Sequence, residues 1–265
     1  MKELNLVDTF RQIPMLENFH PSDFQITVLG GLSNHNYRLI SAQVDWILRI
    51  PRAETNRYID RQVESYNRSL AFGLGLSNQC IWEGTNGISL SITVVDGKIL
   101  TSNQLAELPN MQRLIDNLHR LHRSAINFQG TVDVIKLIDR YFKLVSDEKR
   151  EPLKLKKNQL LSEIDIERLG QLPLVPSHND LNPENLILDS SNRLWFIDWE
   201  FSAMANPCWD LAIICHYGEF TNDQTEQFLM MYCVDRSAAL DYPVADFRRL
   251  LALLNECWLC AFGIE

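Results

Sequence analysis

Three oxygen-bearing side chains stand out in the stretch SHNDLNPENLILDSSNRLWFIDWEF, residues 177–201: Asp180, Asn185 and Asp198. Each sits at the edge of a segment that is otherwise apolar. Pro183 excludes a simple helix through DLNPEN. The runs NLILD and RLWFID are short, apolar and separated by Ser-Ser-Asn, a turn signal, so they read as a β-hairpin. Antiparallel pairing then brings Asn185, just before the first strand, and Asp198, at the end of the second, to one end of the ribbon. Asp180 lies on the loop that feeds this hairpin. An amide oxygen and a carboxylate suit a hard cation such as Mg²⁺, which takes few protein ligands and completes its shell with water and phosphate. A carboxylate beside them can accept a proton from a hydroxyl nucleophile. A metal clamp, a base and positioning are what phosphoryl transfer from ATP requires.

Taken together, the blocks HNDLNPEN, FIDWE and NPCWDLA resemble the choline kinase and aminoglycoside phosphotransferase family, in particular bacterial choline kinases of the LicA type. The D-x-x-x-x-N spacing of Asp180 and Asn185, followed by I-D-W-E at 197–200, carries the resemblance, which extends over about residues 24–262. It implies an α+β, two-lobed, protein-kinase-like fold using ATP and Mg²⁺. It implies that Asp180 is the base, that Asn185 and Asp198 hold the metal, and that Glu200 assists through the metal shell. It also implies a structural role for Asp210, holding the catalytic loop through backbone hydrogen bonds. His178 reads as a loop anchor.

These residues need elements to place them. Residues 4–19 read as a short helix interrupted by Pro14. From 24 to 50 the chain is rich in Val, Ile, Tyr and Trp and broken by Gly30-Gly31 and by Ser41–Gln43, which predicts two or three antiparallel strands. Residues 55–71 place Ile59, Val63, Tyr66 and Leu70 at helical spacing behind a Thr or Asn cap. The stretch QCIWEGTNGISLSITVV returns to strand pattern. Beyond Asp96-Gly97 helices dominate, with Ile135–Val145 and Asn158–Leu169 expected as two of them and the basic tract Lys149–Lys157 as a solvated edge between. Strands segregated from helices argue for two lobes, residues 1–95 for nucleotide and 96–265 for catalysis and substrate.

Within the first lobe, Gly30 and Gly31 permit a tight turn, and Ser33, Asn34 and Asn36 offer donors to phosphate oxygens. Arg49 sits amid apolar neighbours in DWILRIP, where a charge is costly unless paired. Glu64, one position off the apolar face of the next helix, is its expected partner. Arg52, Arg57 and Arg61 are alternatives read as surface residues. Arg in this strand, where protein kinases use Lys, follows the choline kinase pattern and binds phosphate bidentately. Adenine is expected to meet the backbone of Thr93, Val94 and Val95.

Asp210 follows Asp198 by only twelve positions, too few for a peptide platform, so the acceptor is expected to be a small molecule. A quaternary ammonium alcohol needs aromatic faces and a carboxylate. Candidates are Asp180, Glu200, Phe201, Trp209, Tyr217, Glu219, Trp258 and Phe262. Choline kinases carry W-x-x-W near the end; here one Trp and a Phe stand at a different spacing. Rival acceptors are ethanolamine, thiamine and an aminoglycoside, the last served by Asp235, Asp241 and Asp246. A catalytically inactive nucleotide-binding regulator predicts loss of Asp180 or Asp198, and both are present.

Composition sets the outer bounds. The chain has 265 residues, 46% apolar and 22% charged, and a formal net charge of −9. That charge argues against a nucleic-acid partner and is compatible with a cationic substrate. No run of eighteen apolar residues and no secretory leader are visible, so a cytoplasmic protein without a membrane partner is expected. The six cysteines are scattered, with only Cys257 and Cys260 as C-x-x-C, and read as buried thiols in a reducing compartment.

Overall fold

The structure is a computed structural model that describes residues 5–31, 33–56, 58–233 and 242–262. A short helix α1 (Leu6–Phe10) precedes five antiparallel strands: β1 (Gln25–Leu29), β2 (Asn34–Ile40), β3 (Asp45–Pro51), β4 (Cys80–Glu83) and β5 (Ser89–Ile92). Their spatial order is β1-β2-β3-β5-β4. Alternation along a strand sends successive side chains to opposite faces. Leu48 and Ile50 of β3 therefore join Leu39 and Leu90 in one apolar cluster, which Phe10, Ile13, Leu16 and Phe24 cover. Arg49, between them, points to the other face, beside its register partners Asn36 and Ser89.

A short helix α2 (Ala53–Asn56) leads to α3 (Arg61–Gly73), capped by Asp60, whose side chain accepts from the amides of Gln62 and Val63. The helix starts later than its sequence pattern indicates, and its buried row is not the expected apolar one. Arg61, Glu64, Asn67, Arg68 and Ala71 face inward, while Tyr66 is 43% exposed. The cause is what α3 packs against. It lies on the polar face of the sheet, and Asn67 ties it across to the backbone oxygens of Gln129 and Ser202 at 3.1 and 2.9 Å.

After β5 a turn at Val94–Gly97 leads into β6 (Lys98–Ile99), which adds a third strand to the hairpin of β8 (Leu186–Leu188) and β9 (Leu194–Phe196). Strand β7 (Val175–Ser177) pairs with β10 (Ala203–Ala205). The helices of this part are α4 (Ser102–Leu105), α5 (Leu108–His122), α6 (Val134–Phe142), α7 (Asp147–Glu163), α8 (Ile166–Leu169), α9 (Pro207–Tyr217), α10 (Asn222–Cys233) and α11 (Val244–Phe262). Helix α9 is apolar on nearly every side and forms the centre of a second cluster, surrounded by α5, α10 and α11. Ala71 and Leu76, from the sheet-bearing part, also belong to this second cluster. The basic tract lies inside α7 rather than between two helices; it is mostly exposed there, as a solvated helix edge, and Lys156 and Lys157 pair with Glu256 and Asp139. None of the described helices is long and apolar enough to cross a membrane. The six cysteines are free thiols.

Candidate active site

The hairpin forms in the register its sequence dictates, Leu186 opposite Phe196 and Leu188 opposite Leu194. Asp189 organises its turn: Oδ1 accepts from the amides of Ser191 and Arg193, and Oδ2 from the Trp195 indole. At the open end the amide of Ile197 donates to the Asn185 carbonyl at 3.0 Å, so Asp198 follows directly beside Asn185. Asn179 and Asp198 both adopt left-handed backbone, φ 67° and 63°, which Asn and Asp tolerate better than other side-chain-bearing residues.

The loop folds on itself around Asp180. Asn185 Nδ2 donates to the Asp180 carbonyl and to its Oδ2, each at 2.8 Å, and Asn182 Nδ2 donates to Oδ1 at 3.1 Å. Burial, then the charges of Asp198 and Glu200, raise the Asp180 carboxyl well above the usual range, against those amide bonds. Burial and Glu200 raise Asp198 to about 7, with Arg49 pulling the other way. From beneath, Asp210 on the first turn of α9 accepts the amide of His178 at 2.9 Å and that of Asn179 at 2.7 Å. His122 on α5 braces the same carboxylate at 3.0 Å and bonds Tyr232 at 2.8 Å. His178 is fully buried and bonds the Ile197 carbonyl at 2.9 Å; burial lowers its pKa to about 4, so the ring is neutral.

Arg49 reaches this loop from the sheet. Its guanidinium pairs with Glu64 on α3 and, through Nη1 at 3.0 Å, with Asp198. Burial works against its charge, but Glu64, Asp198 and Glu200 more than offset it and raise its pKa. Glu64 is likewise pushed up by burial and brought below the usual range by Arg49 and Arg61. Arg61, expected at the surface, is buried between Glu64 at 2.7 Å and Glu200 at 3.3 Å. Arg52 donates to the Gly31 carbonyl at 3.4 Å, and Arg57 lies outside the described residues.

Around this centre the other sequence candidates fall into place unevenly. In the glycine turn, Gly31 has φ 143°, and a Cβ there would stand 2.8 Å from Asn36 Nδ2. The amides of Asn34 and Asn36 are not presented outward as expected. Asn34 Nδ2 bonds Ser33 Oγ at 3.1 Å and Glu200 at 3.0 Å, and Asn36 Nδ2 bonds the Gly30 carbonyl at 2.9 Å. They brace the loop because its carbonyls and Glu200 are the nearest acceptors. Val95 is 64% exposed on the turn after β5, and the Val94 carbonyl closes that turn on the Gly97 amide at 3.2 Å.

On the acceptor side, Phe201 is 41% exposed and Glu219 is exposed at a left-handed turn after α9. Tyr217 donates to Asn255 at 3.2 Å; burial raises its hydroxyl pKa, and the Asp180 charge adds to the shift. Trp258 and Phe262, one turn apart on α11, have ring centroids 5.5 Å apart. Phe262 also meets Tyr58 at 5.9 Å and Tyr141 at 6.2 Å, two aromatics that sequence reasoning missed. The charge of Glu200 reaches Tyr141, whose hydroxyl is raised chiefly by burial. Trp209, by contrast, is core, packed on Phe247. Of the proposed acidic cluster, Asp246 pairs with Arg249 at 3.8 Å, and Asp235 and Asp241 lie outside the described residues.

The donor set fits Mg²⁺ and nucleotide phosphate. Asn185 has its Nδ2 held by Asp180, so Oδ1 is the side-chain atom with which it could meet a cation. The charge of Glu200 helps to raise the pKa values of Asp180 and Asp198, and that of Asp198 helps to raise Asp180, a concentration of negative charge that a divalent cation relieves. Arg49 Nε is buried and without a partner among the described residues, a donor that calls for an acceptor. Among the described residues no group of three or more His, Cys, Asp or Glu is arranged to hold a metal ion.

The phosphotransferase enzyme family, APH, matches residues 25–251, and the chain belongs to it. Its fold is α+β and kinase-like. The chain is 29% identical over 218 residues to the LicA protein of Haemophilus influenzae, covering 81% of this chain and 64% of that protein. It therefore spans a little under two thirds of that relative's length. The crystal structure of choline kinase LicA from Streptococcus pneumoniae superposes with a TM-score of 0.80 at 27% identity, covering 89% of this chain and 85% of that one. A structure of LicA in complex with AMP superposes with a TM-score of 0.78 at 27% identity, covering 90% and 83%.

Proposed function

We propose that the protein is an ATP-dependent kinase that phosphorylates the hydroxyl of choline or a related amino alcohol. One observation carries the reading: Asp180, Asn185 and Asp198 converge at the mouth of one hairpin, and Arg49 reaches that mouth while held by Glu64. In this reading residues 1–95 form the nucleotide lobe and residues 96–265 the catalytic and substrate lobe. ATP lies between them, its adenine at the backbone of Val94 and Val95 and its phosphates under the Ser33–Asn36 turn. That turn is shaped by the Asn34 and Asn36 amides. Arg49 binds phosphate oxygens, its bidentate fork fixed by Glu64. Asn185 and Asp198 would hold Mg²⁺, which when bound neutralises charge on the transferring phosphate.

Asp180 orients the acceptor hydroxyl and takes its proton. A carboxyl with a raised pKa binds a proton more readily, which suits this task, and Asn182 and Asn185 fix its direction. The grouping of Tyr58, Tyr141, Trp258 and Phe262, with the Glu200 charge reaching Tyr141, supports an ammonium-bearing acceptor, because aromatic faces and a nearby carboxylate attract cations. Phe201, Tyr217 and Glu219 complete the acceptor side. Related proteins described as a choline kinase and as binding AMP support the same assignment. Free thiols throughout support a reducing, cytoplasmic setting.

An ADP-release assay with Mg²⁺ and ATP tests the reading across choline, ethanolamine, thiamine, homoserine and aminoglycosides. Release with choline or a close amino alcohol is expected. Release only with an aminoglycoside overturns the acceptor assignment, and tight ATP binding with no release for any acceptor overturns the kinase reading.

A further inference from the structure

We infer that Arg61 is a positioning residue for phosphoryl transfer: it fixes the Asp198–Glu200 turn of one lobe against the Glu64-bearing helix of the other. The inference rests on the kinase reading above and adds to it a residue outside the loop, the metal pair and the Arg49 clamp.

The geometry is that of a junction. The Arg61 side chain is 8% exposed and Glu200 only 2%. Nε donates to Asn56 Oδ1 at 2.8 Å, Nη1 to Glu64 at 2.7 Å and to Glu200 at 3.3 Å, and Nη2 to Asn34 Oδ1 at 3.4 Å. Its aliphatic stem lies against Gly87, where an added Cβ would be 2.8 Å from Arg61 Cδ. The two oxygens of Glu64 are divided between two cations, Oε1 to Arg49 and Oε2 to Arg61. Glu200 Oε2 in turn holds Asn34, at the start of β2, at 3.0 Å. One guanidinium therefore links the phosphate turn, α3 and the residue two places after Asp198.

Charge explains why an arginine is needed. Glu64, Asp198 and Glu200 are three neighbouring carboxylates, the first and last of them buried, and among the described residues Arg49 and Arg61 are the cations paired with them. Without Arg61, Glu200 keeps only the neutral Asn34 amide among its described partners, and a buried carboxylate so placed turns toward solvent. That movement releases the turn that carries Asp198. Lysine keeps the charge but offers one nitrogen where four partners lie in different directions.

The test uses the full chain with Arg61→Met, Arg61→Lys, Glu200→Gln and the Arg61→Met/Glu200→Gln double variant. In Arg61→Met, kcat is expected to fall ~100-fold with a smaller change in KM for the acceptor, as for a displaced catalytic group. Arg61→Lys recovers part of that loss. Because Arg61 acts through Glu200, adding Arg61→Met to Glu200→Gln lowers kcat by less than ~3-fold further. Equal losses in both backgrounds, or a folded Arg61→Met enzyme with wild-type kcat, overturn the inference. A crystal structure of Arg61→Met, or of Arg61→Lys if the first does not fold, reads the same point without turnover. The Glu200 carboxylate is expected to leave Asn34, and an unmoved Glu200 overturns the inference. Failure of the kinase reading appears separately, as a wild-type protein that releases no ADP.

Discussion

Asn185 holds Asp180 twice with one nitrogen, its Nδ2 standing 2.8 Å from both the backbone oxygen and Oδ2 of that residue. The contact closes the loop and aims a carboxylate whose pKa burial has raised. Asp180→Asn replaces the proton acceptor with an isosteric amide. ATP binding should stay within a few-fold of wild type by calorimetry, while kcat falls by ~10²–10⁴-fold, the range for losing a general base. A variant that turns over at the wild-type rate removes Asp180 from the chemistry.

Arg49 joins two carboxylates that come from different parts of the chain, Glu64 and Asp198. Arg49→Met leaves Glu64 with Arg61 alone and Asp198 with no cation within ion-pair distance among the described residues. Stability should drop by about 1–3 kcal/mol, the cost of unmade charged hydrogen bonds, and KM for ATP should rise at least ~10-fold. Arg49→Lys restores the charge but not the fork, so it should fall between the two. Urea denaturation and steady-state kinetics on the three proteins check the order; an unchanged KM for ATP in Arg49→Met contradicts the phosphate role.

What the sequence discloses and what it hides follow from the length over which a signal repeats. The hairpin is legible because alternating apolar residues flank a Ser-Ser-Asn turn, and the position of Arg49 is legible because a lone cation in an apolar strand demands a partner. Strand β6 spans only Lys98–Ile99, too short to show any period. The inward row of α3 is only partly legible: Glu64 is marked by the Arg49 that needs a partner, but Arg61 and Arg68 look like a solvated face until Glu200 and Glu83, distant in sequence, make them interior. Tyr58 and Tyr141 join Phe262 through contacts between remote segments, which no local pattern records. Helix α7 carries Pro152 and buries only Leu153, so neither propensity nor amphipathicity marks it.

His178 gives a pH signature. Its folded pKa is near 4 against an ordinary 6.5, so below pH 6.5 the unfolded chain takes up a proton that the folded chain refuses. The stability it contributes is complete above 6.5 and is lost as pH falls toward 4, by about 3 kcal/mol in all. Asp198 runs the opposite way, because its raised carboxyl, near 7, favours the folded state at low pH. His178→Gln keeps a donor for the Ile197 carbonyl but cannot titrate, so it isolates the first effect. Wild type minus variant, measured by denaturant unfolding from pH 7.5 to 4, should fall by that amount; parallel curves would show that the imidazole is not the cause.

Gly97 is the point where the turn after β5 presses on the hairpin. A Cβ there would stand 2.5 Å from Ile187 Cγ2, with the Val94 side chain and carbonyl oxygen each at 3.0 Å. Separations below about 3 Å force the backbone or the neighbour to move, and here β6 must slide off β8 or Ile187 must turn. Gly97→Ala should therefore lower stability by about 1–3 kcal/mol and weaken ATP binding, since the same turn bears Val94 and Val95. Ile187→Ala removes the obstructing methyl group and on its own costs stability by leaving space. The double variant should lose less than the two single losses added, with a coupling of about 0.5–2 kcal/mol. Denaturant unfolding of the four proteins decides the matter: strictly additive losses would mean that the glycine serves the turn's own conformation and that its closeness to Ile187 is incidental.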